Sequence, residues 1–184
     1  RPMADGGEGT ARVICEACGG EWLEEEVTGP LGDRVMAGWA WLSETETAVI
    51  EMSEASGLKL VDPARRNPWR ATTAGTGDLM QAAIRKGARR LIVGIGGSAT
   101  NDGGAGMAWA MGYRFLDAEG NGFFPLPANL ETLAKIVPPE NAGAQPEIIA
   151  ACDVTNPLLG PDGATAVYGP QKGVRLERIP AFEA

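Results

Sequence analysis

Apolar runs separated by glycine, proline and short polar turns divide the chain into alternating strand and helix candidates. Positions 24–28, 35–42 and 47–52 carry apolar, aromatic and β-branched residues, which predicts three strands of a small antiparallel group. Trp39 and Trp41 stand two positions apart. Because successive side chains of a strand alternate between faces, both rings should lie on one face and serve packing.

Helical spacing appears on both sides of this group. A helix is predicted over 10–18, ended by a pair of glycines, and a second over 78–86, with Thr76 as its cap and Gly87 as its stop. The apolar run 91–95 follows the second helix at once and predicts a central strand. The order of helix, strand, loop and helix predicts an α/β fold, in which ligands gather at the carboxyl ends of strands.

The last third of the chain gives weaker signals. Turn residues dominate its first part, where only a short helix near 130–136 is predicted. The run 147–152 predicts a buried strand that ends at Asp153, a position suited either to chemistry or to an Asx turn. A further strand is predicted over 163–168, followed by a glycine and proline loop that carries Lys172.

The most informative segment is the glycine-rich loop after the 91–95 strand. Six glycines occur between positions 94 and 106, and the absence of Cβ atoms lets backbone amides approach a ligand closely. A helix is predicted to follow, and the start of a helix favours negative charge. The loop therefore predicts an anion-binding turn whose candidate residues are Gly96, Gly97, Ser98, Thr100, Asn101, Gly103 and Gly104.

Other interpretations of this loop remain open. No Gly-Lys-Ser/Thr ends it, which excludes a Walker A phosphate loop. Residues 94–99 match the dinucleotide pattern G-x-G-x-x-A, and Asp117 stands where a ribose-binding acid could follow. The polar insertion 98–104 delays the helix and disfavours that class. A third possibility is a tight strand-to-helix turn in which Asp102 only caps the helix.

The composition and charge of the chain limit the kinds of molecule that it can bind. The chain has 184 residues, is 44% hydrophobic and carries a formal net charge of −8, which fits a globular chain that repels nucleic acid and anionic membranes. No apolar run approaches the ~20 residues of a membrane span, and no signal-peptide pattern opens the chain. An anionic metabolite would therefore need local backbone dipoles, a few cations or a metal, for which Mg²⁺ is suited.

The cysteines argue against a zinc site. Cys15 and Cys18 have C-x-x-C spacing, but the chain has no histidine and only Cys152 besides, too few ligands for a structural zinc shell. Both are predicted to lie one turn apart on a helix and to be buried as small apolar side chains. Reduced thiols predict a cytoplasmic protein.

Short sequence blocks occur along the chain in a recognisable order. They are Asp5-Gly-Gly-Glu-Gly-Thr10, 27–32 (VTGPLG), 49–57 (VIEMSEASG), 94–104 (GIGGSATNDGG), 152–157 (CDVTNP) and 169–173 (GPQKG). Together they resemble the type I glycerate kinase family. The resemblance covers essentially the whole chain but only the middle of the family's sequence, without either end. The start at Arg1, which is not a methionine, also predicts an excised portion of a longer protein.

The resemblance implies an architecture and an activity. Family members have a Rossmann-like domain and an inserted, swivelling mixed-sheet domain, with the active site between them. Residues 1–22 would be a remnant of the first domain and 23–184 most of the second. The implied reaction is ATP-dependent phosphorylation of glycerate with Mg²⁺, with 2-phosphoglycerate as the favoured product. This portion alone is expected to be inactive.

The resemblance also suggests roles for individual residues. The glycine loop would hold an anionic group of glycerate or phosphate. Asp102 would orient or deprotonate the substrate hydroxyl, and Lys172 would meet the developing phosphate charge. The candidate magnesium ligands are Asp5, Glu8 and Asp153. Two alternatives are a nicotinamide-dinucleotide-dependent oxidoreductase and a non-catalytic domain that binds a small carboxylate.

Overall fold

The computed structural model describes residues 7–140 and 146–183. Its strands are β1 (Glu21–Thr28), β2 (Arg34–Leu42), β3 (Thr47–Glu51), β4 (Arg90–Gly94), β5 (Arg114–Leu116), β6 (Gly122–Phe123), β7 (Lys135–Val137) and β8 (Glu147–Ala151). Its helices are α1 (Thr10–Ala17), α2 (Met52–Ser56), α3 (Ala74–Lys86), α4 (Ala105–Ala110), α5 (Ala164–Lys172) and α6 (Ile179–Phe182).

A five-stranded mixed sheet organises the fold. Its strand order is β1-β2-β3-β4-β8, with β1, β2 and β3 antiparallel and β3, β4 and β8 parallel. A separate three-stranded antiparallel sheet has the order β6-β5-β7. The predicted mixed α/β fold and its antiparallel group are thus confirmed. The carboxyl ends of the three parallel strands meet at one edge, where ligands of such sheets bind.

The main core lies between the sheet and α3. Trp39, Ile50, Leu79 and Leu91 are almost completely buried there. Trp41 packs against the same cluster, and its ring lies edge-on to Trp39 with centroids 6.4 Å apart. The prediction that the two tryptophans share a face and serve packing is confirmed. Burial of this apolar surface is the main stabilising contribution to the sheet–helix unit.

A second, smaller cluster forms where α1 packs against the sheet. Ala11 and Cys15 of α1 contact Ala40 and Val49. Cys15 is buried, as predicted, and burial raises the pKa of its thiol. Cys18 is exposed, so the prediction that both are buried is wrong for this residue: α1 ends at Ala17 and Cys18 follows it.

The start of α3 differs from the prediction, and its end agrees. The helix ends at Gly87 in the left-handed conformation, with φ of 104°. It begins at Ala74, four residues earlier than predicted, after Thr73. Thr76 is therefore inside the helix and not its cap. Its buried hydroxyl lies 3.0 Å from that of Ser56, so a tertiary contact uses the side chain that the sequence suggested for capping.

The strand predicted over 163–168 is wrong. Residues Ala164–Lys172 form α5, which ends at Gly173 with φ of 100°. Thr165 and Gly169 are buried, four residues apart, as expected for one side of a helix. The strand preference of Val167 and Tyr168 is overridden by this packing. Lys172 consequently lies in the last turn of a helix, where a cation is favoured, and not in a loop.

Two further predictions are wrong in part. Residues 147–151 do form a strand, but Ile148 and Ile149 are 49% and 41% exposed. Strand β8 pairs with β4, and no other strand pairs with its far side within the described residues. The helix predicted near 130–136 is a 3₁₀ turn at Leu130–Thr132, followed by β7.

The structure bears on the predicted domain boundary and on membrane-spanning helices. The predicted boundary at residue 22 falls within β1, and the division into two domains stays a prediction. Over residues 7–140 and 146–183, no helix is both long and apolar enough to cross a membrane.

Candidate functional site

A cavity lies at the carboxyl edge of the parallel strands. Its volume is about 290 Å³. The loop after β4, the turn after β8 and the last turn of α5 all contribute to its wall. The lining residues that matter for the argument are Gly96, Gly97, Ser98, Asp153, Tyr168 and Lys172. Most of these were predicted as site residues; Tyr168 was not, because its segment was taken for a strand.

The glycine loop offers backbone donors to this cavity. Leu58 N donates to Gly97 O at 2.9 Å and Ala99 N donates to Ser56 O at 2.9 Å, which fixes the loop against the end of α2. Gly97 has φ of 71°, a conformation that favours glycine. The amides of Gly96 and Gly97 donate to no acceptor among the residues that the structure describes. Two backbone hydrogen bonds thus fix the loop against α2, and two glycines that line the cavity have N–H groups without an acceptor within the described residues.

Lys172 provides the cation of the site. Its Nζ donates to Ser98 Oγ at 2.9 Å and to Thr100 O at 2.7 Å. Burial lowers the pKa of Lys172 to about 8, and the negative charge of Asp102 partly opposes this effect. An ammonium group has three donors, so two protein acceptors leave one N–H for a ligand.

The side chain of Asp102 is buried and accepts hydrogen bonds from the starts of two helices. Its side chain is 3% exposed. Oδ2 accepts from Thr73 N at 2.8 Å, Thr73 Oγ1 at 2.8 Å and Gly106 N at 3.1 Å, and Oδ1 accepts from Gly104 N at 3.1 Å. Thr73 Oγ1 in turn accepts from Met107 N. The carboxylate therefore joins the starts of α3 and α4, as the capping alternative expects, with three donors on Oδ2 and one on Oδ1.

The same contacts correct the expected source of the anion site. The amides at the start of α4 are used by Asp102 and Thr73, so this helix does not present them to a ligand. Gly103 and Gly104 have positive φ and form the turn into α4. Asn101 donates from Nδ2 to Thr165 Oγ1 at 3.0 Å. Of the predicted loop residues, Gly96, Gly97 and Ser98 line the cavity, and Thr100 contributes its carbonyl oxygen to Lys172.

The predicted magnesium ligands are only partly described. Asp153 is exposed and lines the cavity. Glu8 is also exposed, and a Cβ atom on Gly97 would lie 3.3 Å from its Oε1, which places this carboxylate beside the loop. Asp5 lies outside the described residues. Among those that are described, no group of three or more His, Cys, Asp and Glu side chains is arranged to hold a metal.

Sequence reasoning did not assign a role to Glu51. This side chain is 2% exposed at the end of β3. Its Oε1 accepts from Ala11 N at 2.5 Å, and Oε2 accepts from Gly9 N at 3.0 Å and Ser53 Oγ at 3.1 Å. Glu51 thereby fixes the start of α1 and the residues just before it. Gly7, which lies in this segment, also lines the cavity. An acid that ends an apolar strand was the signal that could have identified it.

The dinucleotide alternative is not supported by this arrangement. Asp117 follows β5, which belongs to the separate small sheet. Its carboxylate accepts from Asn121 N at 2.7 Å, and this hydrogen bond lowers the pKa of Asp117. Helix α4 begins at Ala105, well after the G-x-G-x-x-A segment. A ribose-binding acid would instead follow the neighbouring parallel strand of the main sheet.

The structure is that of an α/β protein with a mixed sheet. At the carboxyl edge of its parallel strands it has a candidate anion site, formed by a lysine ammonium group and two loop amides that have no acceptor within the described residues. Comparison with known proteins gives a more particular identity. The model of the glycerate kinase family matches residues 1–184, and the chain belongs to this family.

Individual relatives agree with the family match. The chain is 50% identical over 187 residues to a glycerate kinase of Bacillus subtilis (strain 168), covering 99% of this chain and 48% of the relative. It is 48% identical over 177 residues to the glycerate 2-kinase of Escherichia coli (strain K12), covering 94% and 46%. The chain thus spans about half the length of these relatives.

A solved structure shows the same fold. A crystal structure described as a glycerate kinase 2 from Salmonella typhimurium LT2 is 49% identical to this chain, with a TM-score of 0.92. The match covers 99% of this chain and 49% of that one.

Proposed function

We propose that this chain forms the anion-binding part of a glycerate kinase, which phosphorylates glycerate with ATP as the phosphate donor. The observation that carries the proposal is that the amides of Gly96 and Gly97, which have no acceptor in the part of the chain that the structure describes, line the same cavity as the ammonium group of Lys172. Family membership supports the choice of glycerate among small anions. Because the matched relatives are about twice as long, the complete reaction is proposed for the whole protein.

The geometry supports different roles for the loop amides and for Lys172. Phosphoryl transfer depends mainly on positioning and on neutralisation of charge. The amides of Gly96 and Gly97 would hold the carboxylate of glycerate or a transferred phosphate, and Lys172 would neutralise the charge that develops. Ser98 accepts a hydrogen bond from Lys172 and so positions its ammonium group. The 290 Å³ cavity is large enough for a three-carbon acid and one phosphate.

Two carboxylates that the structure describes, those of Asp153 and Glu8, lie near the glycine loop and have the chemistry to bind a divalent cation. Asp153 and Glu8, together with Asp5, are our candidate ligands for Mg²⁺, which prefers carboxylate oxygens. When bound, Mg²⁺ would shield the negative charge of the transferred phosphate.

Asp102 has a different role in this proposal. Its four hydrogen bonds fix the starts of α3 and α4 and so set the shape of the loop between β4 and α4. We therefore propose Asp102 as a positioning residue and no longer as the base. Its charge also favours the protonated form of Lys172.

The finer implications of the family resemblance belong to the same proposal. They are a swivelling domain inserted in a Rossmann-like domain, a chain that represents the middle of the family sequence, 2-phosphoglycerate as product and a cytoplasmic location. The three cysteines, which are free thiols, are compatible with a reducing compartment. The net charge of −8 disfavours nucleic acid as a partner.

The affinity for glycerate should depend on pH through Lys172. The pKa of this residue is about 8 in the folded protein, so the ammonium group loses its proton as the pH rises through that value. If an anion binds only the charged form, affinity is constant below pH 8 and falls up to about tenfold per pH unit above it. Isothermal titration calorimetry with glycerate between pH 7 and 9.5 measures this.

Two variants complete the experiment. Lys172→Met should weaken glycerate binding at least about tenfold at pH 7 and remove the pH dependence. Lys86→Met is the matched control, because Lys86 also lies in the last turn of a helix but forms a surface ion pair with Glu21. It should bind like the wild type. A pH-independent wild type, or equal losses in both variants, would contradict the role of Lys172.

A further inference from the structure

A second polar cleft lies beside the end of α5. It has a volume of about 410 Å³, and its wall includes Trp69 and three arginines, Arg66, Arg175 and Arg178. Gly173 lines this cleft, whereas the preceding residue, Lys172, lines the glycine-loop cavity. Consecutive residues at the helix end thus border two different cavities.

None of the three arginines forms an ion pair with a carboxylate that the structure describes. Within residues 7–140 and 146–183, the ion pairs use other cations: Arg34, Lys59, Lys86, Arg89 and Arg90. Glu177 also lines the cleft but pairs with none of its arginines. A cluster of unpaired guanidinium groups is unexpected in a chain with a net charge of −8. The cleft is therefore a local positive region that an anionic ligand would neutralise.

Two of these arginines are held in place by the protein. Arg66 donates from Nη1 to Gln171 O at 2.9 Å, whereas its buried Nε has no partner among the described residues. The Arg178 guanidinium carbon lies 5.5 Å from the centroid of the Trp69 ring, a cation–π distance. Phe182 stacks on Trp69, with centroids 4.0 Å apart, and stabilises this ring. Because the fold sets the positions of Arg66 and Arg178, these guanidinium groups would lose little conformational entropy when a ligand binds.

We propose that this arginine cleft binds the phosphate groups of the nucleotide. The inference rests on the proposed function, because a kinase of this kind uses ATP as its phosphate donor. Guanidinium groups bind phosphate oxygens through two parallel hydrogen bonds, which suits a diphosphate better than a single carboxylate. The position next to the glycine-loop cavity gives the two substrates separate but neighbouring sites.

The test measures ADP and glycerate binding to the same chain by calorimetry. Arg66→Gln and Arg178→Gln should each weaken ADP binding by about tenfold or more, because each removes charge-assisted hydrogen bonds to phosphate. Both variants should keep the wild-type affinity for glycerate. The control Arg85→Gln, an exposed arginine on α3 away from the cleft, should leave ADP binding unchanged.

The outcomes separate this inference from the proposed function. If the wild type binds glycerate but not ADP, or if both arginine variants bind ADP normally, the cleft is not the nucleotide site and the glycerate proposal stands. If an arginine variant loses the binding of both ADP and glycerate, the substitution acts through a general structural change, and the proposed nucleotide site is contradicted. A wild type that binds neither ligand contradicts both proposals.

Discussion

Asp102→Asn is expected to lower the free energy of unfolding by about 3 to 5 kcal/mol, because it removes a buried charge that several donors share. The carboxylate is 3% exposed and accepts hydrogen bonds from Thr73, Gly104 and Gly106. The asparagine amide retains one acceptor oxygen and places an N–H₂ group against N–H donors. Urea unfolding followed by circular dichroism measures the change.

The matched control is Asp117→Asn. Asp117 also accepts hydrogen bonds in a glycine-containing turn, from the backbone and side chain of Asn121, but this contact is exposed to solvent. Its unfolding midpoint should stay near that of the wild type. If Asp102→Asn were as stable as Asp117→Asn, Asp102 would not hold the starts of α3 and α4 together, and the base role would return to consideration.

Gly106→Ala is expected to be nearly as damaging, because no space exists for a methyl group. A Cβ atom on Gly106 would lie 2.1 Å from Thr72 Oγ1, 2.8 Å from Ala74 N and 3.0 Å from Asp102 Oδ2. The start of α4 would have to move away from α3, and the Asp102 contacts would break. We expect a loss of about 3 kcal/mol or more in stability, together with weaker glycerate binding, since the loop shifts.

Gly122→Ala controls for the change from glycine to alanine. On Gly122 of β6, the nearest atom to an added Cβ, Leu116 Cδ2, is 3.8 Å away, which is an ordinary contact. The free energy of unfolding of this variant, measured by thermal unfolding, should lie within about 0.5 kcal/mol of the wild-type value. A Gly106→Ala protein with wild-type stability would show that the α3–α4 contact is looser than described.

Features determined by neighbouring residues could be predicted from the sequence. Strands β2 to β4 and the end of α3 before Gly87 follow from apolar runs and a glycine stop. Helix α5 could not be predicted, because Val167 and Tyr168 favour strands locally and only the burial of Thr165 and Gly169 selects the helix. Tertiary packing, which the local pattern does not contain, made the difference.

In the candidate site, too, features set by the local sequence could be predicted and features set by distant segments could not. The glycine loop and Lys172 were predicted as partners of an anion, and the structure brings them to one cavity. The position of Lys172 in a helix and the capping role of Asp102 could not be predicted, since both depend on distant segments. The contact of Asp102 with Thr73 spans 29 residues, and that of Lys172 with Ser98 spans 74.

The central claim is that the amides of Gly96 and Gly97 bind the anion. It is tested most directly by titrating ¹⁵N-labelled chain with glycerate and following backbone amide resonances. Hydrogen bonding to a carboxylate should move the Gly96 and Gly97 signals most, while those of Gly104 and Gly106, already bonded to Asp102, should change little. Unchanged signals at Gly96 and Gly97, with large shifts elsewhere, would contradict the account.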